Sequence, residues 1–511
     1  MSRILLGQSY FLRFDPKLWE AMQPYPPLGT LYAAAYLRQA GHQVALFDAM
    51  LASSEQEWAD RLDAERPDIA VIYEDNFNYL SKMCLERMRE AAFTMIAQAK
   101  TRGLPVLVAG SDATDHYRAY LDQGADYVIL GEGEITLAEI VAYLDGSSEL
   151  QLDQIPGLAW SEADIGSSGR RPDIRDLDSL PRPAWDLVDV ERYREIWQEH
   201  HGYFSMNMVT TRGCPYHCNW CAKPIWGQRY NSRSPEAVAQ EMGWLKATYK
   251  PDHIWFADDI MGLKPRWMDA FAVALEKENA SIPFKCLSRA DLLLRDGDID
   301  AMARAGADII WIGAESGAQS VLTAMEKGTK VEELYACRQK LAEAGVRVGF
   351  FLQFGYPGET RADVDATLQM IRDLMPDDIG MSVSYPLPGT KFHERVSGQL
   401  GEKQNWWDSN DLAMMYRGPF TTDFYRQLHV TMHKEYRSRK TWRQLSNWLR
   451  RPKTFRAGDL RRIAAMVFHT LTLPLARRRL NRLQHETENP AHLTGPGMSI
   501  EESAVPTHQE L

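Results

Sequence analysis

At 511 residues with 45% hydrophobic side chains, the chain is long enough for roughly two to four domains with sizeable cores, which excludes a disordered or fibrous protein. A formal net charge of -11 and a pI near 5.7 argue against a general nucleic-acid binder. No run reaches the roughly 18 apolar residues that span a bilayer, and the start MSRILLGQSYF lacks the basic opening and long apolar run of a signal peptide. Cys84, Cys286 and Cys337 are scattered and make no disulfide framework, so a reducing, cytoplasmic location is expected.

Residues 1–145 alternate short apolar runs with helical periodicity. The runs at 3–6, 43–47, 68–73, 105–109 and 126–130 read as buried strands, predicting an α/β domain with a five-stranded parallel sheet of the flavodoxin-like type. In such a sheet ligand sites lie at the C-terminal strand ends. Those loops carry Tyr25 to Gly29, Asp48, Glu74 to Asn76, Gly110-Ser111-Asp112 and Gly131-Glu132-Gly133-Glu134. Residues 146–205 turn polar and proline-rich and read as a linker with a short strand at 158–160.

Residues 210–227, TTRGCPYHCNWCAKPIWG, place Cys214, Cys218 and Cys221 at the spacing C-x3-C-x2-C. Three thiolates in so short a loop suit three irons of a cubane cluster, where clusters with protein ligands alone take four cysteines. One iron is then left open for another ligand. The alternative is a structural zinc loop completed by His217 or a distant residue, although no second cysteine knuckle accompanies it.

A second alternating series has strands at 207–210, 253–256, 284–287, 309–312, 346–354 and 379–384, with helical stretches such as 234–248 and 331–344 between them. Its strand ends carry Asp258-Asp259, Ser288-Arg289, Gly313 to Gly317, the run Gly355-Tyr356-Pro357-Gly358-Glu359, and Tyr385 to Thr390. From 401 to 485 the pattern becomes helical, with aromatics and basic residues at helical spacing, and residues 486–511 read as a polar, disordered tail.

The cysteine loop and the six strands after it resemble the radical S-adenosylmethionine (SAM) superfamily, whose fold is a partial (β/α)6 barrel. The resemblance implies a 4Fe-4S cluster on Cys214, Cys218 and Cys221, whose open iron chelates SAM and cleaves it to a 5'-deoxyadenosyl radical. It further implies that Asp258 or Asp259 accepts hydrogen bonds from the SAM ammonium, that Arg289 pairs with its carboxylate, and that Glu315 takes the ribose or the ammonium. Ser288, Gly355, Pro357 and Gly358 are expected beside the same ligand, the glycines because they let the backbone approach it closely.

The first domain, through PPLGTLYAAAYLRQAGHQVALFDA and ADYVILGEGE, resembles the cobalamin-binding domain attached to many radical SAM enzymes, with Gly110, Ser111, Gly131 and Glu132 expected at cobalamin. One departure is the missing D-x-H-x-x-G loop, so cobalamin is expected without a histidine on cobalt. What the resemblance implies over residues 1–400 is cobalamin-dependent methylation of an unactivated carbon. The alternative is an oxidative cyclase like the anaerobic magnesium-protoporphyrin monomethyl ester cyclase, and a third reading is a non-enzymatic cobalamin sensor, which leaves the cluster loop without a purpose. A methylthiotransferase is disfavoured because Cys84 is the sole cysteine before residue 200. Expected partners are a small-molecule or lipid-like substrate and a low-potential donor such as flavodoxin or ferredoxin, with no nucleic acid. The basic C-terminal region is read as a helical cap able to touch an acidic or membrane-associated partner.

Overall fold

The computed structural model describes residues 1–161, 164–223, 225–450 and 457–486. β1 (Arg3–Gly7), β2 (Gln43–Phe47), β3 (Ile69–Tyr73), β4 (Val106–Ala109) and β5 (Tyr127–Ile129) pair in parallel in the order β2-β1-β3-β4-β5. Strands such as IAVIY and VLVA are buried on both sides because helices cover both faces of the sheet. Ile4 and Leu6 join the core that holds helices Leu28–Gln39 and Glu134–Leu144, while Leu5 between them joins the one under Gln56–Glu65 and Glu86–Lys100. The order reverses between β1 and β3, and the loops that follow these strands therefore diverge around a crevice of the kind that takes ligands.

The segment read as a linker does more than connect. β6 (Leu158–Ser161) pairs antiparallel with β5, and β7 (Ile165–Ser167) pairs with β6, so the sheet has seven strands of which five are parallel. Short antiparallel strands satisfy edge groups that β5 would otherwise leave unpaired.

The second sheet is parallel throughout. β8 (Ser205–Met208) is followed by a two-residue ribbon, β9 (Thr211–Arg212) with β10 (Asn231–Ser232), and then by β11 (His253–Phe256), β12 (Phe284–Ser288), β13 (Ala307–Glu315), β14 (Arg347–Phe354) and β15 (Asp378–Val383). The sheet order β8-β11-β12-β13-β14-β15 follows the sequence, as successive right-handed crossovers produce. β8 and β15 are its two edges, so the barrel is open on one side.

Helices Thr422–Arg450 and Ala457–Leu483 form an antiparallel hairpin, with Gln427 bonded to Ala476 and Ser438 to Thr470. The hairpin lies against the barrel through Tyr436, whose hydroxyl donates to the Pro376 carbonyl. The tail expected from 486 onward lies, after Glu486, outside the described residues. One contiguous core runs from Leu28 and Leu137 in the first domain through Phe256 and Phe271 in the barrel to Phe424 and Leu428 in the hairpin.

Candidate active site

The cysteine loop is held from both ends and from its middle. The β9–β10 ribbon pairs Arg212 with Asn231 and closes the base of the loop. Gly213 enters it at φ 81°, and a Cβ there would stand 2.5 Å from the Arg229 carbonyl oxygen, so this position takes glycine and nothing larger. Between the second and third cysteines, Asn219 donates its backbone N–H to the Met325 carbonyl and its amide to the Ala324 carbonyl, and accepts from the Tyr356 hydroxyl at 2.8 Å.

All three cysteines open onto one cavity of about 190 Å³. His217, the fourth ligand that the zinc alternative names, is exposed, while the three cysteines line the cavity. Burial pushes the Cys214 thiol up and the Cys221 thiol up to about 12, with Lys223 pulling both the other way. Metal binding at this loop must therefore displace protons.

Of the residues expected at SAM, Asp259, Ser288, Arg289 and Glu315 line the same cavity. Arg289 lies 3.7 Å from the Tyr216 ring centre, is gripped by Asp291 and Thr329, and brings one guanidinium nitrogen to 4.0 Å from the Cys218 sulfur. Glu315 is paired with Lys327 at 2.7 Å, both buried. Asp259 is paired with Lys82 of the first domain at 2.5 Å.

Other residues expected at SAM do not line this cavity. Asp258 is buried away from the cavity, and its carboxylate accepts from the backbone of Thr210 and Thr211 and from the Thr210 hydroxyl, at 2.6–2.8 Å. It fastens the entrance of the cysteine loop. Gly355 (φ 81°) faces Met414 and Tyr425 of the C-terminal region instead of the cavity, and Pro357 and Gly358 are exposed beyond it, because β14 runs past the cavity before the chain turns.

In the first domain Ser111 lines the cavity. Gly110 packs on Glu74, where a Cβ would meet the Glu74 side chain at 2.7 Å, and Gly131 lies under Arg170, which donates to the Ile225 carbonyl beside the cysteine loop. Glu132, expected at cobalamin, is committed elsewhere. Its carboxylate accepts from Arg212 at 2.5 Å, from the Ile174 N–H and from the Trp226 indole, while Glu134 takes the other arm of Arg212 at 2.7 Å. Arg212 comes from β9, so this buried triad fastens the first domain to the root of the cysteine loop. Sequence reasoning missed Arg212, Asn219, Lys82 and Lys327. The signal available for Arg212 was its place directly before the Gly213-Cys214 pair; the others need the tertiary contacts.

Two family patterns match. The B12 binding domain matches residues 19–141 and the Radical SAM superfamily matches residues 208–371. The chain thus joins a B12 binding domain to a Radical SAM domain. An uncharacterized methyltransferase of Pyrococcus horikoshii is 26% identical over 390 residues, 75% of this chain and 81% of its own. The anaerobic magnesium-protoporphyrin IX monomethyl ester cyclase of a Synechocystis species is 29% identical over 310 residues, 60% of each chain. The fold is shared with the cobalamin-dependent SAM radical enzyme OxsB, solved with aqua-cobalamin bound, at a TM-score of 0.69 and 15% identity over 96% of this chain and 77% of that one.

The cofactors of this radical SAM class, an iron–sulfur cluster, SAM and cobalamin, find fitting groups here. For the cluster they are three thiols and no fourth cysteine around one cavity. For cobalamin, whose rim carries amides, they are buried polar atoms without partners at the crevice between β1 and β3 and beside it: Gln8 Nε2, Ser9 Oγ, Glu74 Oε2, Asn76 Oδ1 and Ser111 Oγ. Burial holds the Glu74 carboxyl up to about 8, so at neutral pH it can donate as well as accept.

Proposed function

We propose that this enzyme methylates an unactivated carbon of a small-molecule substrate, with Cys214, Cys218 and Cys221 holding the cluster and the crevice at Ser9, Glu74 and Ser111 holding cobalamin. The observation that carries this reading is a single cavity lined from both domains, by the three cysteines from one and by Ser111 and Lys82 from the other. Bound there, the cluster supplies the electron that cleaves SAM and cobalamin supplies the methyl group. Lys223 and the ion pairs Lys82–Asp259, Arg289–Asp291 and Lys327–Glu315 stand around the thiols, and in this reading Arg289 and Glu315 take the carboxylate and ammonium of SAM. Inside the barrel Trp311 and Phe351 stack at 4.6 Å, and Trp311 lies on Gly349, where a Cβ would stand 2.5 Å from its ring. This pair gives the substrate side of the cavity a flat apolar wall that excludes water from a radical.

An unactivated C–H carbon is no nucleophile, so a hydrogen must leave before a methyl group arrives. Turnover with methyl-labelled SAM and a reductant such as flavodoxin or ferredoxin is therefore expected to yield 5'-deoxyadenosine and S-adenosylhomocysteine in equal amounts, with label in the product. Replacing any of the three cysteines with Ala removes most of the iron and all deoxyadenosine. Oxidative ring closure of a tetrapyrrole-like substrate is the second reading, favoured by the relative 29% identical. An unlabelled, cyclised product without S-adenosylhomocysteine establishes it and defeats methyl transfer.

A further inference from the structure

The C-terminal hairpin carries an apolar face that none of the described residues covers. Helix Ala457–Leu483 buries Met466, His469, Ala476, Leu480 and Leu483 toward its companion helix and the barrel. Its opposite side carries a second stripe at helical spacing: Leu460 is 61% exposed, Phe468 50%, Leu471 73% and Leu475 63%, with Val467 beside them. An ordinary surface helix has one apolar stripe, and this one has two. The companion helix adds two more exposed apolar side chains, Trp442 at 67% and Val430 at 37%.

The charge around the stripe selects its partner. The two helices of the hairpin hold thirteen Lys and Arg against three Asp and Glu, in a chain whose net charge is -11. Arg478, Arg479 and Arg482 are exposed at one end of the stripe and form no ion pair among the described residues. Lys434 sits 5.2 Å from the Phe468 ring centre, a cation beside an exposed aromatic. Apolar side chains flanked by arginine and lysine are the composition that lies in a bilayer interface, the apolar groups among the acyl chains and the cations at anionic headgroups. No helix among the described residues is long and apolar enough to cross a membrane, so the contact is with the surface. Arg361 holds Asn481 and Gln484 against the barrel, which keeps the stripe facing outward.

We propose that the face formed by Leu460, Val467, Phe468, Leu471 and Leu475, with Arg478, Arg479 and Arg482, docks the enzyme on an anionic lipid surface. The helix Thr422–Arg450 anchors the hairpin to the residues that lead into β15, its Tyr436 hydroxyl donating to the Pro376 carbonyl and its Lys440 ammonium to the Asp377 carbonyl.

The test is flotation of the full chain, reconstituted anaerobically, with vesicles of phosphatidylglycerol and phosphatidylcholine and with vesicles of phosphatidylcholine alone. The expected result is binding to the first, weakened about tenfold by Phe468→Glu with Leu471→Glu, and weakened comparably by Arg478→Glu with Arg479→Glu. Val273→Glu, at a 57% exposed position on the barrel helix Trp267–Lys277, is expected to leave binding unchanged. Each variant keeps its helical circular dichroism and melting temperature, since the altered side chains are in solvent. Failure of the full chain to float with either vesicle overturns the proposal. So does flotation gained only when the chain is ended at residue 486, because residues 487–511 are then the occupant. A dimer broken by Leu471→Glu in the absence of lipid, with no vesicle binding, assigns the face to a second copy and equally overturns it.

Discussion

Arg212 shows how much one residue holds. It is buried between Glu132 and Glu134, its guanidinium 5.4 Å from the Tyr32 ring centre and 5.6 Å from that of Phe77. Removing one partner of a buried ion group strands the others, a loss of about 3–5 kcal/mol. Arg212→Met is therefore expected to lower the denaturant midpoint sharply, and replacing Glu132 and Glu134 with Met and Leu as well should restore most of it. The buried carboxyls Glu74 and Glu359 act through pH. Burial holds both up to about 8 against an ordinary 4.5, so each favours the folded chain fully below pH 4.5 and loses that contribution as pH rises through 8. The melting temperature of the cofactor-free chain should fall by several degrees from pH 5 to pH 9. In Glu74→Gln with Glu359→Gln that slope should flatten.

At the scale of elements, the cysteine loop depends on its supports more than on its own residues. The β9–β10 ribbon, Asp258 at the entrance and Asn219 in the middle fix a loop whose described residues form no helix or strand of their own. Gly213→Ala combines an unfavourable φ with a contact against the Arg229 carbonyl, a strain of about 1–3 kcal/mol that the loop relieves by moving. Iron per chain should fall well below that of the parent while far-ultraviolet circular dichroism stays the same, because the barrel strands do not share the strain. The β6–β7 hairpin makes a related point. It turns a polar, proline-rich segment into the edge of the first sheet, where its short strands pair with β5.

At the scale of the whole molecule, the domains share a core. Phe77 of the first domain stacks on Trp226 of the cysteine loop at 5.1 Å, Trp197 donates to the Pro24 carbonyl, and Lys82 reaches Asp259. A core shared in this way couples the unfolding of the two domains, which is the expectation that calorimetry tests. Calorimetry of the full chain is expected to show one main transition, and a chain beginning at residue 204 should melt lower by roughly ten degrees or more, having exposed the Trp226 face. Two separated transitions, with the shortened chain unaffected, would show that the domains are independent.

The eleven principal strands of the two parallel sheets were legible in the sequence, because burial on both faces leaves uninterrupted apolar runs such as IAVIY, and alternation with helices dictates parallel order. That the three cysteines face one cavity was legible too, since their proximity depends on spacing within one short loop. Asp258 and Glu132 were not assignable, because a carboxylate at a strand end reads the same whether it awaits a ligand or is bonded to Thr210 or Arg212, and its partners lie 48 and 80 residues away. The outward stripe on the last helix was equally hidden: its apolar residues surround the helix, and only packing of one side against the hairpin and barrel leaves Leu460, Phe468, Leu471 and Leu475 in solvent. Sequence thus determined what depends on local periodicity and spacing, while the pairing of charges and the choice of exposed face were decided by contacts between distant segments.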